Sequence, residues 1–345
     1  MKTQDFDYKL PQELIAQHPL DSRDDSRLLV LDSTGKLVDS NFYDIHNFLL
    51  PGDLLVLNDS KVVKASLNLN KAGKNIYVIL NKQLTNTIWT GFAKPGKKLY
   101  IGDNFDFDGN QVIIKNKFED GTVEFEFELK TGFTVFDFLD IYGSVPLPPY
   151  IRKGVADSLD EDTYQSIFAE NLGSVAAPTA GLHFTDHVFV QLNKKNIDYC
   201  FITLHVGAGT YMPVKSENID EHRMHSEYVE ISSIAAEKIN NAKREGRRVI
   251  SVGTTSTRAL EASAIENGMV KASKFETDIF IKPGFDFKVI DGLITNFHIP
   301  KSTLLMLVSS FIGHKNIMNI YSHAIANKYR FYSYGDAMLV IKNLK

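Results

Sequence analysis

Apolar and polar positions along the 345-residue chain fall into two textures. Up to about residue 64, and again beyond 150, short apolar runs suited to buried strands alternate with stretches of helical spacing. This predicts helices over 11–16 and 42–49 and strands over 28–31 and 54–57, with a turn at Pro51-Gly52-Asp53. Between about 65 and 130 the runs shorten to period-two alternation, as in Val123-Glu-Phe-Glu-Phe-Glu-Leu129, punctuated by Lys94-Pro-Gly-Lys97, Asp108-Gly-Asn110 and Asp120-Gly121. Such a segment predicts antiparallel hairpins in a small barrel or sandwich. A helix over 133–142 leads into Pro146-Leu-Pro-Pro-Tyr150, a stiff connector excluded from helix or central strand. The α/β texture then resumes, with helices over 160–169, 186–195, 232–245, 255–266, 302–312 and 316–328 and strands over 198–204, 248–252, 275–281 and 337–342. The expected fold is a mixed α/β main domain, 1–64 and 150–345, into which a small all-β barrel-like domain, 65–149, is inserted.

Composition adds bounds. With 43% hydrophobic and 23% charged residues the chain suits a soluble globular protein of about two domains. The single cysteine, Cys200, excludes a disulfide framework and sits in an apolar run, which predicts a buried structural thiol. No apolar segment follows the start Met1-Lys-Thr-Gln-Asp-Phe-Asp, and the run 304–308 is too short to span a bilayer, so a cytoplasmic protein with no membrane partner is expected. A formal charge of −4 supplies no global field for nucleic acid; any polyanion would need a local patch, for which Lys243-Arg-Glu-Gly-Arg-Arg248 and Lys94, Lys97 and Lys98 are the candidates, each equally readable as a solvated face.

Residues suited to chemistry collect in several small, polar loops of the second half. In Gly253-Thr-Thr-Ser-Thr-Arg258 a strand meets a helix start, whose free N–H groups and dipole favour an anion that Arg258 could also grip; Thr255 or Ser256 could equally serve as an ordinary cap. Thr203-Leu-His205-Val-Gly-Ala-Gly-Thr210 resembles a nucleotide loop only superficially: no third glycine follows, and Tyr211-Met-Pro213 cannot easily open a long helix. His205 is left at a strand end, with Gly207 and Gly209 leaving backbone open beside it. His183 with His187, and His222 with His225, invite a metal, as in a metal-dependent hydrolase, but Thr185 reads as an N-cap, so His183 and His187 would not share a helix face. The spacing of His225 and Glu227 predicts that they share one face of a strand, either as an acid/base pair or as an ordinary solvated strand edge. Tyr329-Arg330-Phe331-Tyr332 offers either aromatic and cationic contacts for an unstacked base or a buried cluster.

The loops as a set resemble the queuosine-pathway S-adenosylmethionine:tRNA ribosyltransferase-isomerases, the QueA family. The likeness runs from Phe6-Asp-Tyr-Lys-Leu-Pro11 through Leu50-Pro-Gly-Asp-Leu-Leu55, Pro146-Leu-Pro-Pro-Tyr150, Ala176-Ala-Pro-Thr-Ala-Gly-Leu-His183-Phe, Leu204-His-Val-Gly-Ala-Gly-Thr210, Met224-His-Ser-Glu-Tyr228 and Gly253 to Arg258. It continues through Thr277-Asp-Ile-Phe-Ile-Lys-Pro-Gly284, Asp291 to His298, Lys301 to Val308 and Tyr329 to Met338. At Asn58-Asp-Ser-Lys-Val-Val-Lys-Ala-Ser66 the chain departs from the usual pattern: Lys61 and Lys64 keep charge, and Ser66 replaces an arginine. The resemblance implies transfer and isomerisation of the ribosyl part of S-adenosylmethionine onto 7-aminomethyl-7-deazaguanine at the wobble position of tRNA. The products would be epoxyqueuosine-tRNA, adenine and methionine, without metal or other cofactor. A monomer acting on S-adenosylmethionine and tRNA is expected. His205 or His183 is the expected base and Glu227 with His225 the acid, with substrate contacts from Thr179, Gly207, Gly209, Thr254, Thr255, Ser256, Arg258, His298, Tyr329 and Arg330. A conventional methyltransferase and a non-catalytic nucleotide- or RNA-binding module are the competing classes.

Overall fold

The computed structural model describes residues 1–211, 214 and 216–342. Met212 and Pro213, part of the argument against a nucleotide loop, lie outside the described residues. In chain order, β1 (Arg27–Leu31), β2 (Leu37–Asn41), β3 (Leu54–Asn58) and β4 (Ser60–Val62) precede β5 (Ser66–Lys71), β6 (Lys74–Gln83), β7 (Ile88–Lys94), β8 (Asn104–Phe107), β9 (Asn110–Lys117) and β10 (Thr122–Glu128). Next come α1 (Val135–Tyr142), α2 (Asp160–Thr163), β11 (Asn171–Ser174), α3 (Asp186–Lys194), β12 (Asp198–Leu204), β13 (Glu227–Ile231), α4 (Ser233–Arg244), β14 (Val249–Val252) and α5 (Gly253–Ala262). The chain ends with β15 (Ser273–Thr277), β16 (Gly292–Asn296), α6 (Thr303–Ile312), α7 (His314–Ala326) and β17 (Ala337–Ile341).

Nine strands form the larger sheet, in the order β15-β13-β12-β3-β14-β16-β17-β1-β2. Its centre, β12, β3, β14 and β16, is parallel. Every residue of β3, β14, β16 and β17 is buried, because both faces are covered and a strand in that position must be apolar throughout. The alternation of a strand then divides its side chains between two cores. Leu54 and Val56 join one face with Ile239, Leu260 and Leu305, while Leu55 and Leu57 join the other with Phe184, Val188 and Leu192.

Strands β5 to β10 form a separate antiparallel sheet, ordered β5-β6-β7-β10-β9-β8, whose inner face packs on Val135, Phe138 and Leu139 of α1. Lys71 at the end of β5 reaches Asp103 beside β8 at 2.5 Å, drawing the sheet's two edges together in a barrel-like curl. The mixed α/β reading and the all-β segment therefore both hold. Cys200 in β12 is buried, as its apolar neighbours required, and burial pushes its thiol up to about 12. Among the described residues no helix is long and apolar enough to cross a membrane.

Several elements differ from the sequence reading. The segments 11–16 and 42–49 contain only 3₁₀ turns, Gln12–Leu14 and Phe42–Phe48, and the helix expected over 160–169 stops at Thr163. The strand expected over 275–281 is β15, ending at Thr277. Strand β16 forms where the sequence reading placed no strand; its buried Thr295 bonds His298, and its buried Asn296 bonds Thr179, His183 and the Tyr332 carbonyl.

Candidate active site

The main cavity lies where the loops after β14 and β16 meet the Ala176–Ala180 and Tyr332–Ser333 loops, and it measures about 200 Å³. Strand β14 runs straight into α5 because Gly253 adopts φ +87°, a turn that glycine makes without steric penalty. The helix thus begins two residues earlier than its spacing suggests. Thr255 and Ser256 fall inside it, and the N-cap is Val252, which offers no side-chain acceptor. The alternative reading of these hydroxyls as caps is therefore overturned: the first amides of α5 have no side-chain cap.

Arg258, one turn into α5, is more than nine-tenths buried. Its Nη1 donates to Glu227 Oε2, and its Nε donates to the Ile279 carbonyl at 3.3 Å. Its Nη2 is buried with no hydrogen-bond partner among the described residues. Glu227 also accepts from the Gly207 amide at 3.2 Å, so its carboxylate is held from two sides. Both Arg258 and Glu227 line the main cavity. A buried guanidinium with an unused donor, beside an uncapped helix start, is a seat for an anion.

The two histidines nominated as bases occupy different environments. His183 is buried, and Asn296 Nδ2, which can only donate, reaches its Nε2 at 3.1 Å. The proton therefore sits on Nδ1, directed at Ser26 Oγ 2.8 Å away. Both nitrogens are committed, and burial lowers the pKa to about 4. Asn296 in turn accepts from Thr179 Oγ1 at 2.9 Å, so His183 braces two residues of the cavity wall and does not face it.

His205 follows β12, 2.7 Å from Ser60 Oγ through Nδ1 and stacked on Tyr228 at 5.5 Å with a 17° tilt. Its Nε2 lies over Gly173, where an added Cβ would come within 2.7 Å. Burial lowers its pKa, partly opposed by the charge of Glu230. A neutral imidazole results, bordering a second cavity of about 400 Å³ together with Gly207, Gly209, exposed His225 and Glu227. Glu227 borders both cavities.

His298 lines the main cavity with Thr254 and Thr255, its Nε2 3.0 Å from Thr295 Oγ1, and desolvation depresses its pKa to about 3. Ser256 and Tyr329, expected as substrate contacts, border neither cavity. Ser256 faces inward from α5, fully buried; Tyr329 belongs to the hydrophobic core, with its hydroxyl on Asp39 at 2.5 Å and Arg27 over its ring at 3.7 Å. Arg330 donates to the carbonyls of His18 and Tyr334 and borders a minor recess with Arg23 and His183. His187 bonds Asp24 and Gln191, away from the partners of His183, and no group of three or more His, Cys, Asp or Glu among the described residues could hold a metal ion. The basic cluster is spent internally: Lys243 on Asp291, Arg247 on Glu245 and Arg248 on Asp53. Tyr332, named in the sequence within the aromatic segment 329–332, does line the main cavity; sequence reasoning missed Tyr150, whose ring lies 4.7 Å from it there, and Ser60, which orients His205. Tyr150 lay in view within the proline-rich connector, but only the fold shows which side of that connector it faces.

Comparison with known proteins adds the following. A family model described as "Queuosine biosynthesis protein" matches residues 3–340. A protein named S-adenosylmethionine:tRNA ribosyltransferase-isomerase from Rickettsia bellii is 50% identical with full coverage of both chains, and a protein of the same name from Rickettsia prowazekii is 45% identical, also over both full lengths. Among solved structures, that of an S-adenosylmethionine tRNA ribosyltransferase from Thermotoga maritima shares 34% identity at a TM-score of 0.55, covering 98% of this chain and 100% of the other.

Proposed function

The chain belongs to the queuosine biosynthesis protein family, and from that premise we propose that it is an S-adenosylmethionine:tRNA ribosyltransferase-isomerase. It moves the ribosyl part of S-adenosylmethionine to 7-aminomethyl-7-deazaguanine in tRNA, giving epoxyqueuosine-tRNA, adenine and methionine. The observation that carries the assignment of substrate to site is the buried, unused Nη2 of Arg258 at the uncapped start of α5. The methionyl carboxylate fits there, taking a charge-assisted bond from the guanidinium and the free amides of Thr254 and Thr255. Glu227 keeps the guanidinium in place, so it acts as a positioning carboxylate. The rings of Tyr150 and Tyr332 across the cavity suit the adenine.

The sulfonium acidifies the neighbouring C–H, and a neutral imidazole is needed to take that proton. His205 meets this requirement: its nitrogen opposite Ser60 is uncommitted, and its lowered pKa keeps it unprotonated at neutral pH. For Nε2 to accept, Nδ1 must carry the proton and donate to Ser60 Oγ, which fixes the tautomer. The proton for departing adenine is assigned to His225, which borders a small recess with Arg258 and Glu227. In this reading the β5–β10 sheet is an inserted domain that supplies one wall of the acceptor side.

The test is product analysis with S-adenosylmethionine and tRNA carrying the aminomethyl-deazaguanine, against unmodified tRNA. Stoichiometric adenine and methionine, only with the modified tRNA, are expected. Formation of S-adenosylhomocysteine would replace this reading with methyl transfer.

A further inference from the structure

Asn58 ends β3 and is the one polar residue of that strand, 2% exposed. It borders neither the main cavity nor the second. A carboxamide offers two donors and an oxygen that accepts twice, and here all four are spent. Oδ1 accepts from the Ser60 amide at 3.1 Å and the Leu204 amide at 3.0 Å. Nδ2 donates to the Leu204 carbonyl at 2.9 Å and to Thr255 Oγ1 at 3.3 Å. Three of these partners are backbone groups that can only donate or only accept, so they fix which way the amide faces.

The partners belong to both parts of the site. Ser60 begins β4 and holds His205 Nδ1 through its Oγ, while Leu204 ends β12 directly before His205. Strand β12 pairs with β3 as far as Ile202, opposite Asn58; beyond it the carboxamide takes both backbone groups of Leu204, as a further residue of β3 would. The fourth partner, Thr255, stands in the first turn of α5 and lines the main cavity. Because its oxygen accepts from Asn58, its own hydroxyl proton is left for another acceptor, and the carboxylate seated at Arg258 is beside it. We propose that Asn58 is a positioning residue that sets the imidazole of His205 and the hydroxyl of Thr255 together, holding base and anion seat in one register. The proposal rests on the roles that the ribosyl-transfer reading gives those two residues. An aspartate there would turn an acceptor toward the Leu204 carbonyl, and a leucine would take the shared acceptor from the Ser60 and Leu204 amides.

An asparagine that only completes the core would cost stability when removed and leave the folded fraction unaltered. The test is therefore Asn58→Ala in the full-length protein, with circular dichroism for the folded fraction, kcat followed against pH, and S-adenosylmethionine binding measured by calorimetry. In Asn58→Ala, kcat is expected to fall by about a hundredfold, the effect of a displacement of about 1 Å at the reacting groups. The Kd for S-adenosylmethionine should rise by about tenfold through the loosened Thr255 hydroxyl. The acid limb of kcat should move up in pH, because an imidazole that regains water returns toward its ordinary value near 6.5. Its other neighbours, the Tyr228 ring and the Glu230 carboxylate, are unchanged in this variant. Double-mutant cycles of Asn58→Ala with Ser60→Ala in kcat, and with Thr255→Val in Kd, should each fall short of additivity, since the second change removes a group that is no longer held. Thr255→Ser keeps the hydroxyl and should bind S-adenosylmethionine as the wild type does. If the alanine variant does not fold, Asn58→Asp serves: it keeps the oxygen that accepts from both amides and loses the donated bonds, so its Kd should suffer more than its kcat. Folded Asn58 variants with the wild-type acid limb and Kd, or cycles that are strictly additive, would overturn the proposal. Adenine release by the wild type with additive cycles removes this role and leaves the ribosyl-transfer reading standing; S-adenosylhomocysteine as product, with Asn58 and Thr255 still coupled in Kd, removes that reading instead.

Discussion

The two cavities were built by different means. The main one is assembled almost wholly at one end of the nine-strand sheet, by loops that leave β14 and β16 and by two further loops packed against them. The second lies where a different sheet, β5–β10, stands against the end of the nine-strand sheet formed by the edge strand β15 and its neighbour β13. Loops at strand ends carry polar residues and glycines in short sequence windows, so their chemistry can be seen locally. The cavity between sheets shares the His205–Gly209 loop, but the rest of its wall comes in part from β6, β7, β13 and β15, strand positions that carry no local mark of a site. What separates the two is whether a single segment contains its own reason for being polar.

His205 and His183 give the sharpest way to break that comparison, since each stands in a polar loop and only His205 borders one of the two cavities, His183 reaching no more than the minor recess beside Arg23 and Arg330. His205→Ala should lower kcat by about 10²- to 10⁴-fold, the usual contribution of a positioned base, with urea stability near that of the wild type. His183→Ala should lower stability by leaving Asn296 and Ser26 without a partner, while the folded fraction turns over. Equal losses of kcat in both would erase the distinction between the two sites. Next in size is Arg258→Ala. It leaves Glu227 buried without its cation, which should cost about 3–5 kcal/mol of stability, and it removes the anion seat, so KM for S-adenosylmethionine should rise by about two orders of magnitude. An unchanged KM would dismiss the carboxylate assignment. The double variant Arg258→Met with Glu227→Met removes both charges together and should recover most of the stability but none of the affinity, separating the two effects.

Much of the fold was visible because its strongest signals were long and local. The central strands β3, β12, β14 and β17 are runs of apolar residues, and α3 announced itself through Thr185, which caps it by accepting from the Val188 amide at 3.3 Å. Strand β16 was missed because Gly292-Leu-Ile-Thr-Asn296 is half small or polar, and its polar members are satisfied by tertiary partners that sequence spacing cannot supply. The helical reading of 160–169 failed for a related reason: Gln165 leaves the helix to hold Val62 through both its backbone groups, with Oε1 accepting at 3.0 Å and Nε2 donating at 2.8 Å. In the site, Arg258, Thr254 and His205 were legible from glycine-flanked loops. Trp89 and Glu276 carried no such mark, and Tyr329 looked like a binding residue only because a buried aromatic and an exposed one have the same letter.

The smaller effects concern the surroundings of each cavity. His183 should make stability depend on pH. Its folded pKa of about 4 lies below the unfolded 6.5, so its contribution is complete above 6.5 and is lost as the pH falls toward 4, because the unfolded chain binds the proton first. Between pH 7 and pH 5 this amounts to about 2 kcal/mol. His183→Gln should flatten the urea midpoint against pH over that interval by about that amount; an identical slope in both proteins would mean that the ring is not held neutral by its burial.

The Lys82–Glu276 pair is the weakest case, and it tests the second cavity from its rim. The pair is short, 2.6 Å, and joins β6 to β15 across the two sheets, so by position it could be taken for the latch that holds the cavity together. Its side chains are 39% and 49% exposed, however, and a pair in that much water gives up much of its Coulomb attraction to screening. The part-buried bond from the Ala208 amide to Asn81 Oδ1 at 2.8 Å makes a second crossing with less solvent around it. Lys82→Met should therefore change stability by less than about 1 kcal/mol, and 1 M salt should remove most of what difference there is. A loss several times larger, insensitive to salt, would show that the two sheets depend on this ion pair for their contact and that the cavity walls are set by the rim and not by the Ala208–Asn81 bond.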